Sequence, residues 1–141
     1  MFEKLIACLP KLYAGGSGEW IVDHVNDGTP EHPKFFPYIV YSDSVDVIVH
    51  EIYNIMKEHP ELQLNHYERI LNRHGIKWGI DSMMNADVSS LDGQAVMALL
   101  MGVVRAERFC DGTLKMFLEN GCIERWILRL KEIEEEQGKN L

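Results

Sequence analysis

Four charged side chains, Arg105, Glu107, Arg108 and Asp111, fall inside the run Arg105-Ala106-Glu107-Arg108-Phe109-Cys110-Asp111-Gly112. A carboxyl group can serve as acid or base, and an arginine fork can hold an anion or an amide. Glu107 and Asp111 stand four apart, so on a helix they share a face and repel unless a cation or proton lies between them. The stripe through Val96, Leu100 and Val104 also carries Glu107 onto the apolar side. An unpaired carboxylate there costs several kcal/mol or takes up a proton. One expectation is a small polar pocket, with Glu107 and Asp111 as acid/base candidates and Arg105 or Arg108 orienting an anionic or amide ligand. The other is structural: an ion pair that ties this helix to its neighbour, with Asp111 capping the next helix at Gly112. The structural reading is the stronger, because packed ionic networks perturb carboxylates as active sites do.

Other chemistry is thinner. The six histidines, His24, His32, His50, His59, His66 and His74, show no metal-ligand spacing. His50-Glu51 begins like H-E-x-x-H, but Asn54 stands where the second histidine is required. No metal site is expected, and no motif names a cofactor. Cys110 lies beside Arg108, which favours a thiolate, yet no base adjoins it and a core cysteine is the simpler reading. Gly15-Gly16-Ser17-Gly18 lacks the Gly-Lys-Ser/Thr that a phosphate loop needs, so it reads as a turn. Trp20, Asp23 and His24 read as a lid or an anchor for the loop that follows.

The elements that must position the box are mostly helical. Phe2, Leu5, Ile6, Leu9 and Leu12 trace one helical face, interrupted at Pro10. Trp20-Ile21-Val22 and Phe35–Tyr41 are β-prone and flank a cluster of turn formers, which allows a small hairpin with Pro37 confining the second strand to an edge. Ser42-Asp43-Ser44 offers N-caps to a helix with Val45, Ile48, Val49, Ile52 and Ile55 on one face. Asn65 and Glu68 resemble a capping box, and Gly75 suits a left-handed C-terminal cap. A short helical turn is expected around Asp81–Met84.

Asp92 should cap the longest apolar helix, in which Ala98, Gly102 and Ala106 form a ridge that admits a neighbouring helix. Leu114, Phe117 and Leu118 lead to Asn120-Gly121, and the last helix carries Ile123, Trp126, Ile127, Leu130 and Ile133. The fold expected is mainly α: a single orthogonally packed domain over residues 1–141, of about six helices with a small N-terminal hairpin. Residues 14–41 are loop-rich and 134–141 a frayed tail.

Length and charge bound the rest. A chain of 141 residues suits one domain with a core of its own. The net charge of −8 sets the chain against phosphate backbones, and its basic residues are scattered, so a nucleic-acid partner is disfavoured. No apolar run approaches the ~18–20 residues of a membrane span, and no signal-peptide pattern opens the sequence. Three cysteines, Cys8, Cys110 and Cys122, suit reduced thiols, so a cytoplasmic location is expected.

The box resembles that of a family of small, mostly bacterial, uncharacterised proteins known as domain of unknown function 6508. There an R-x-E-R-F-C-D/E-G-like box precedes an apolar helix and a glycine break, matched here by Leu114–Leu118, Asn120-Gly121 and Ile123–Leu130. Pro37-Tyr38-x-x-Tyr41-Ser42, leading into a helix with Val45 and Tyr53, is similar as well, so the likeness runs from about residue 18 to 133. The resemblance implies no activity; it marks the box as the place to look. The expected function is a non-catalytic module that binds a protein partner or itself. The rival is a small-ligand binder or hydrolase-like enzyme using Glu107, Asp111 and Arg108.

Overall fold

The computed structural model of the chain describes residues 1–139. Among these, the element order is α1 (Glu3–Ile6), β1 (Gly18–Ile21), β2 (Tyr38–Tyr41), α2 (Asp43–Glu58), α3 (Tyr67–Arg73), α4 (Ile80–Met84), α5 (Gly93–Glu107), α6 (Thr113–Glu119) and α7 (Cys122–Lys139). The protein is mainly α, and the hairpin is present. β1 pairs antiparallel with β2 in the register Gly18 to Tyr41 and Ile21 to Tyr38.

The core is organised around α5. Every residue from Ala95 to Val104 is buried, so the helix is apolar all round, as a central helix must be. It packs against α2, α3, α6 and α7. The Asp92 carboxylate accepts the Ala95 N–H at 2.9 Å and starts the helix where expected. Gly102 receives side chains. A Cβ there would lie 2.8 Å from Met83 Cε and 3.3 Å from Trp78 Cδ1, and the Trp78 indole N–H donates to the Gly102 carbonyl at 2.9 Å. Gly102 therefore seats the short segment that carries α4. α6 and α7 close the far side, with the Phe117 and Trp126 rings 5.6 Å apart.

The remaining caps divide. At Gly75, φ is +75°, and Ile76 N–H bonds Leu71 O while Gly75 N–H bonds Asn72 O, the pattern of a left-handed helix stop. The capping box at Asn65 and Glu68 does not form. Leu64–His66 makes a 3-10 turn entered through Gln63 at φ 53°, and α3 starts without a side-chain cap. Ser42 also spends its hydroxyl elsewhere, donating to Gly16 O at 2.8 Å and so tying α2 to the turn before β1. Pro10 divides the first segment into α1 and a 3-10 turn, Leu9–Lys11. α7 runs on through residues 134–139, past Ile133 where the apolar pattern ends, and Glu134 accepts the Phe2 N–H at 3.0 Å. Residues 140–141, the end of the tail expected to fray, lie outside the described residues.

Candidate functional site

The chain reverses between α5 and α6 within five residues, and the box makes that reversal. A helix start leaves its first N–H groups without partners, and here the partners come from the preceding helix and from the hairpin. Glu107 Oε2 accepts the Gly112 N–H at 3.0 Å, and Oε1 accepts the Leu114 N–H at 2.9 Å and the Tyr41 hydroxyl at 2.7 Å. The Tyr41 oxygen in turn accepts the Lys115 N–H at 3.1 Å. Burial, and then donation to the Glu107 carboxylate, push the Tyr41 phenol far above its ordinary range. It stays a neutral donor.

Glu107, not Asp111, is therefore the cap of α6. The anticipated ion pair is replaced by a charge-assisted network of backbone N–H groups and one phenol. Asp111 is exposed, and its charge reaches the Tyr41 phenol.

The hairpin covers this network. Gly112 has φ +94°, and a Cβ there would sit 2.5 Å from Trp20 Cζ2. The indole thus lies directly on the glycine, with the left-handed backbone that the reversal requires beneath it. Lys115 Nζ donates to Ser17 Oγ at 3.2 Å, and Ser17 Oγ to Glu119 at 3.1 Å, so β1 is pinned to α6 a second time. Beyond β1, Asp23 organises the loop. Its carboxylate accepts N–H groups from Val25, Asn26 and Phe35 and the Asn26 side-chain amide. Those bonds, led by the Asn26 backbone and side chain, hold its carboxyl well below the usual carboxylate range. Of Trp20, Asp23 and His24, Asp23 holds the loop, Trp20 rests on Gly112 instead, and His24 is exposed.

The two arginines turn the other way, towards α2. Arg105 Cζ lies 5.6 Å from the centroid of the Tyr53 ring, and Arg108 Nη2 donates to the Tyr53 hydroxyl at 3.4 Å. Among the described residues neither guanidinium is paired with a carboxylate. Arg105 Nε is buried and, among the described residues, has no hydrogen-bond partner. The four candidate residues thus do not form one pocket: Glu107 faces the hairpin, Arg105 and Arg108 share Tyr53, and Asp111 stands apart.

A third face of the same reversal is hollow. An apolar cavity of about 450 Å³ opens between α4, the end of α5 and α6, lined by Trp78, Ile80, Met83, Phe109, Cys110 and Phe117 among others. Phe109 is 81% exposed at its mouth and meets Trp78 edge-on at 6.3 Å, while Trp78 meets Tyr67 edge-on at 5.5 Å. Cys110 is exposed rather than a core residue. Thr113, buried beside it, satisfies its hydroxyl on the Cys110 carbonyl at 2.7 Å. Among the described residues, no three His, Cys, Asp or Glu side chains gather as metal ligands. Nor is any helix long and apolar enough to cross a membrane.

Tyr41, Tyr53 and Trp78 were not among the candidates. Each is far from the box in sequence, Tyr41 by 66 positions from Glu107, and only the Tyr41 and Tyr53 positions in the resemblance pointed to them.

Residues 76–136 match the family model described as a family of unknown function (DUF6508). The matched segment holds α4 to most of α7, and so the whole reversal with its box and cavity. The hairpin and α2 precede it. No curated protein and no solved structure matches the chain.

Proposed function

We propose that the chain is a non-catalytic protein-interaction module of the bacterial cytoplasm, whose contact face is the apolar cavity beside Phe109. The observation that carries this reading is the pairing of a pre-formed apolar hollow of about 450 Å³ with a large side chain left in solvent at its mouth. An apolar concavity with an aromatic rim suits a large anchoring side chain from a partner. The carboxylate best placed for acid/base work is already engaged. Glu107 accepts three hydrogen bonds from its own chain, and removing one of those donors to serve a substrate would uncap α6.

The rival, a ligand-binding or hydrolase-like protein built on Glu107, Asp111 and Arg108, loses its shared pocket, because these groups face different sides of the reversal. Apolar exposure elsewhere favours association too: Val25 and Phe36 in the hairpin loop are 93% and 92% exposed.

The test is selection of displayed random peptides on the full chain, with Phe109→Ser and Ile80→Glu chains as counter-targets. Peptides carrying a large apolar residue should bind the wild-type chain and fail on both variants. Hydrolysis of generic ester, amide or phosphoester substrates that disappears in a folded Glu107→Gln chain would overturn the proposal.

A further inference from the structure

The partner's chemistry is read from two neighbouring arginines that, like Arg69, Arg73 and Arg125, meet no carboxylate among the described residues. Lys115, Arg129, His59 and the N-terminal amine all meet carboxylates, in a chain whose net charge is −8. Arg105 and Arg108 do not, although acidic residues outnumber basic ones. Instead both converge on one ring, Arg105 over its face and Arg108 on its hydroxyl. A guanidinium held against an aromatic face keeps its planar fork orientated and its charge available. The end of α5 favours positive charge through its carbonyl groups, which accounts for the sign of these residues. The buried Arg105 Nε, like Trp126 Nε1, has no partner among the described residues, so any carboxylate would be met by the terminal nitrogens of the fork.

This cationic spot adjoins the apolar cavity. Ala106 and Phe109, which line the cavity, each neighbour one of the arginines along the chain, and the row Tyr67, Trp78, Phe109 leads from the arginine side into the hollow. Among acidic groups on the facing elements, Glu68 follows Tyr67 on α3; it is exposed and, among the described residues, makes no ion pair with either arginine.

We propose that Arg105 and Arg108, braced on Tyr53, form a carboxylate-reading site beside the cavity, so that the occupant is a protein segment with an acidic residue next to its apolar anchor. The proposal rests on the interaction reading above and adds the charge of the partner. Arginine recognises a carboxylate through two parallel N–H groups, and the cavity supplies apolar contact alongside. Charge complementarity with an acidic segment is what selects it over a neutral or basic one.

The experiment compares cavity-binding peptides that carry Asp or Glu beside the apolar anchor with counterparts carrying Asn or Gln there. Affinities are read by titration of the full chain, following the Trp78 indole N–H by NMR. The acidic peptides should bind the wild-type chain about tenfold more tightly, and that preference should fall towards one in Arg108→Gln and in Arg105→Gln/Arg108→Gln. Arg108 is exposed, so its single variant keeps the test informative if the double variant is destabilised. Cavity-dependent peptides that bind equally with either charge would overturn this proposal and leave the interaction reading standing. Peptides indifferent to Phe109→Ser would sink both. Benzoate, which offers a ring and a carboxylate without a peptide, tests the source. Displacement of the peptide by benzoate at equal concentration would replace the protein partner with a small carboxylate, and failure to displace is the expected result.

Discussion

The hairpin side of the reversal between α5 and α6 is unlike the rest of it, although one short run of residues builds both. On the hairpin side every polar group has a partner: Glu107, Tyr41 and the N–H groups of Gly112, Leu114 and Lys115 form one closed set, with Trp20 laid on Gly112. Elsewhere the same turn exposes Phe109 and opens an apolar hollow, and Arg105 Nε is without a partner among the described residues. The contrast separates fold from function within one motif. Residues whose hydrogen bonds are all internal hold the helices. Residues with exposed apolar surface are those on which a partner can act.

That comparison breaks most sharply at Glu107. Glu107→Ala removes the acceptor for two backbone N–H groups and the Tyr41 hydroxyl, and at roughly 1 kcal/mol per lost bond the cost should be about 3 kcal/mol, read as a shift of the urea midpoint. Tyr41→Phe removes the donor to Glu107 and the acceptor for Lys115, and should cost less, about 1–2 kcal/mol. If Glu107→Ala folds with wild-type stability, the sealed side is not what holds the reversal. Next in size is Gly112→Ala. It places a methyl group on Trp20 and a side chain at φ +94°, for a loss of about 1–2 kcal/mol. The displaced indole should also report a red-shifted fluorescence and faster proteolysis between residues 22 and 37. Unchanged Trp20 emission would mean the hairpin does not rest on the box.

How much of this was legible in the sequence follows from the range of each interaction. The Asp92 cap and the Gly75 stop were readable because cap and helix are local, and the stripe from Val96 to Val104 because periodicity is local. The buried carboxylate at Glu107 was readable as an anomaly, but not its partners. An acceptor on an apolar face can be met by an arginine, a phenol or backbone N–H groups, and only the turn at Gly112 brings α6 back to meet it. Asn65 and Glu68 have the letters of a capping box, yet the left-handed Gln63 starts a 3-10 turn there and spends those residues differently. The cavity left no trace, because a hollow arises from how α4 sits on Gly102, and a pattern of small residues does not say whether a helix axis or a tryptophan fills it.

The hairpin side has a pH limit set by Asp23. Its carboxyl titrates below the ordinary range in the folded protein, so its contribution is fully present above the unfolded value of about 4 and is lost as pH falls through the lower folded value. The stability gap between the wild-type chain and Asp23→Asn should therefore be constant near neutrality and close progressively below about pH 4. A gap that persists unchanged to pH 2 would show that the loop depends on the shape of the side chain and not on its charge. Because Asp23 anchors the loop and not the box, its loss should leave peptide binding at the cavity intact, which sharpens the separation of the two sides.

The smallest expected effect on stability is the most telling for function. Phe109 is 81% exposed, and a substitution at such a position normally changes stability by no more than about 0.5 kcal/mol. Phe109→Ser should therefore unfold at nearly the wild-type urea concentration. The edge contact with Trp78 is a minor loss, since Trp78 keeps its contact with Tyr67 and its bond to Gly102. The same substitution removes the rim on which an anchoring side chain would rest, and should weaken a cavity-directed peptide at least tenfold, in line with loss of an interface aromatic. Stability and binding thus move independently on the open side and together on the sealed one. If Phe109→Ser instead costs as much stability as Glu107→Ala, Phe109 is part of the closure, and the hollow beside it belongs to the core.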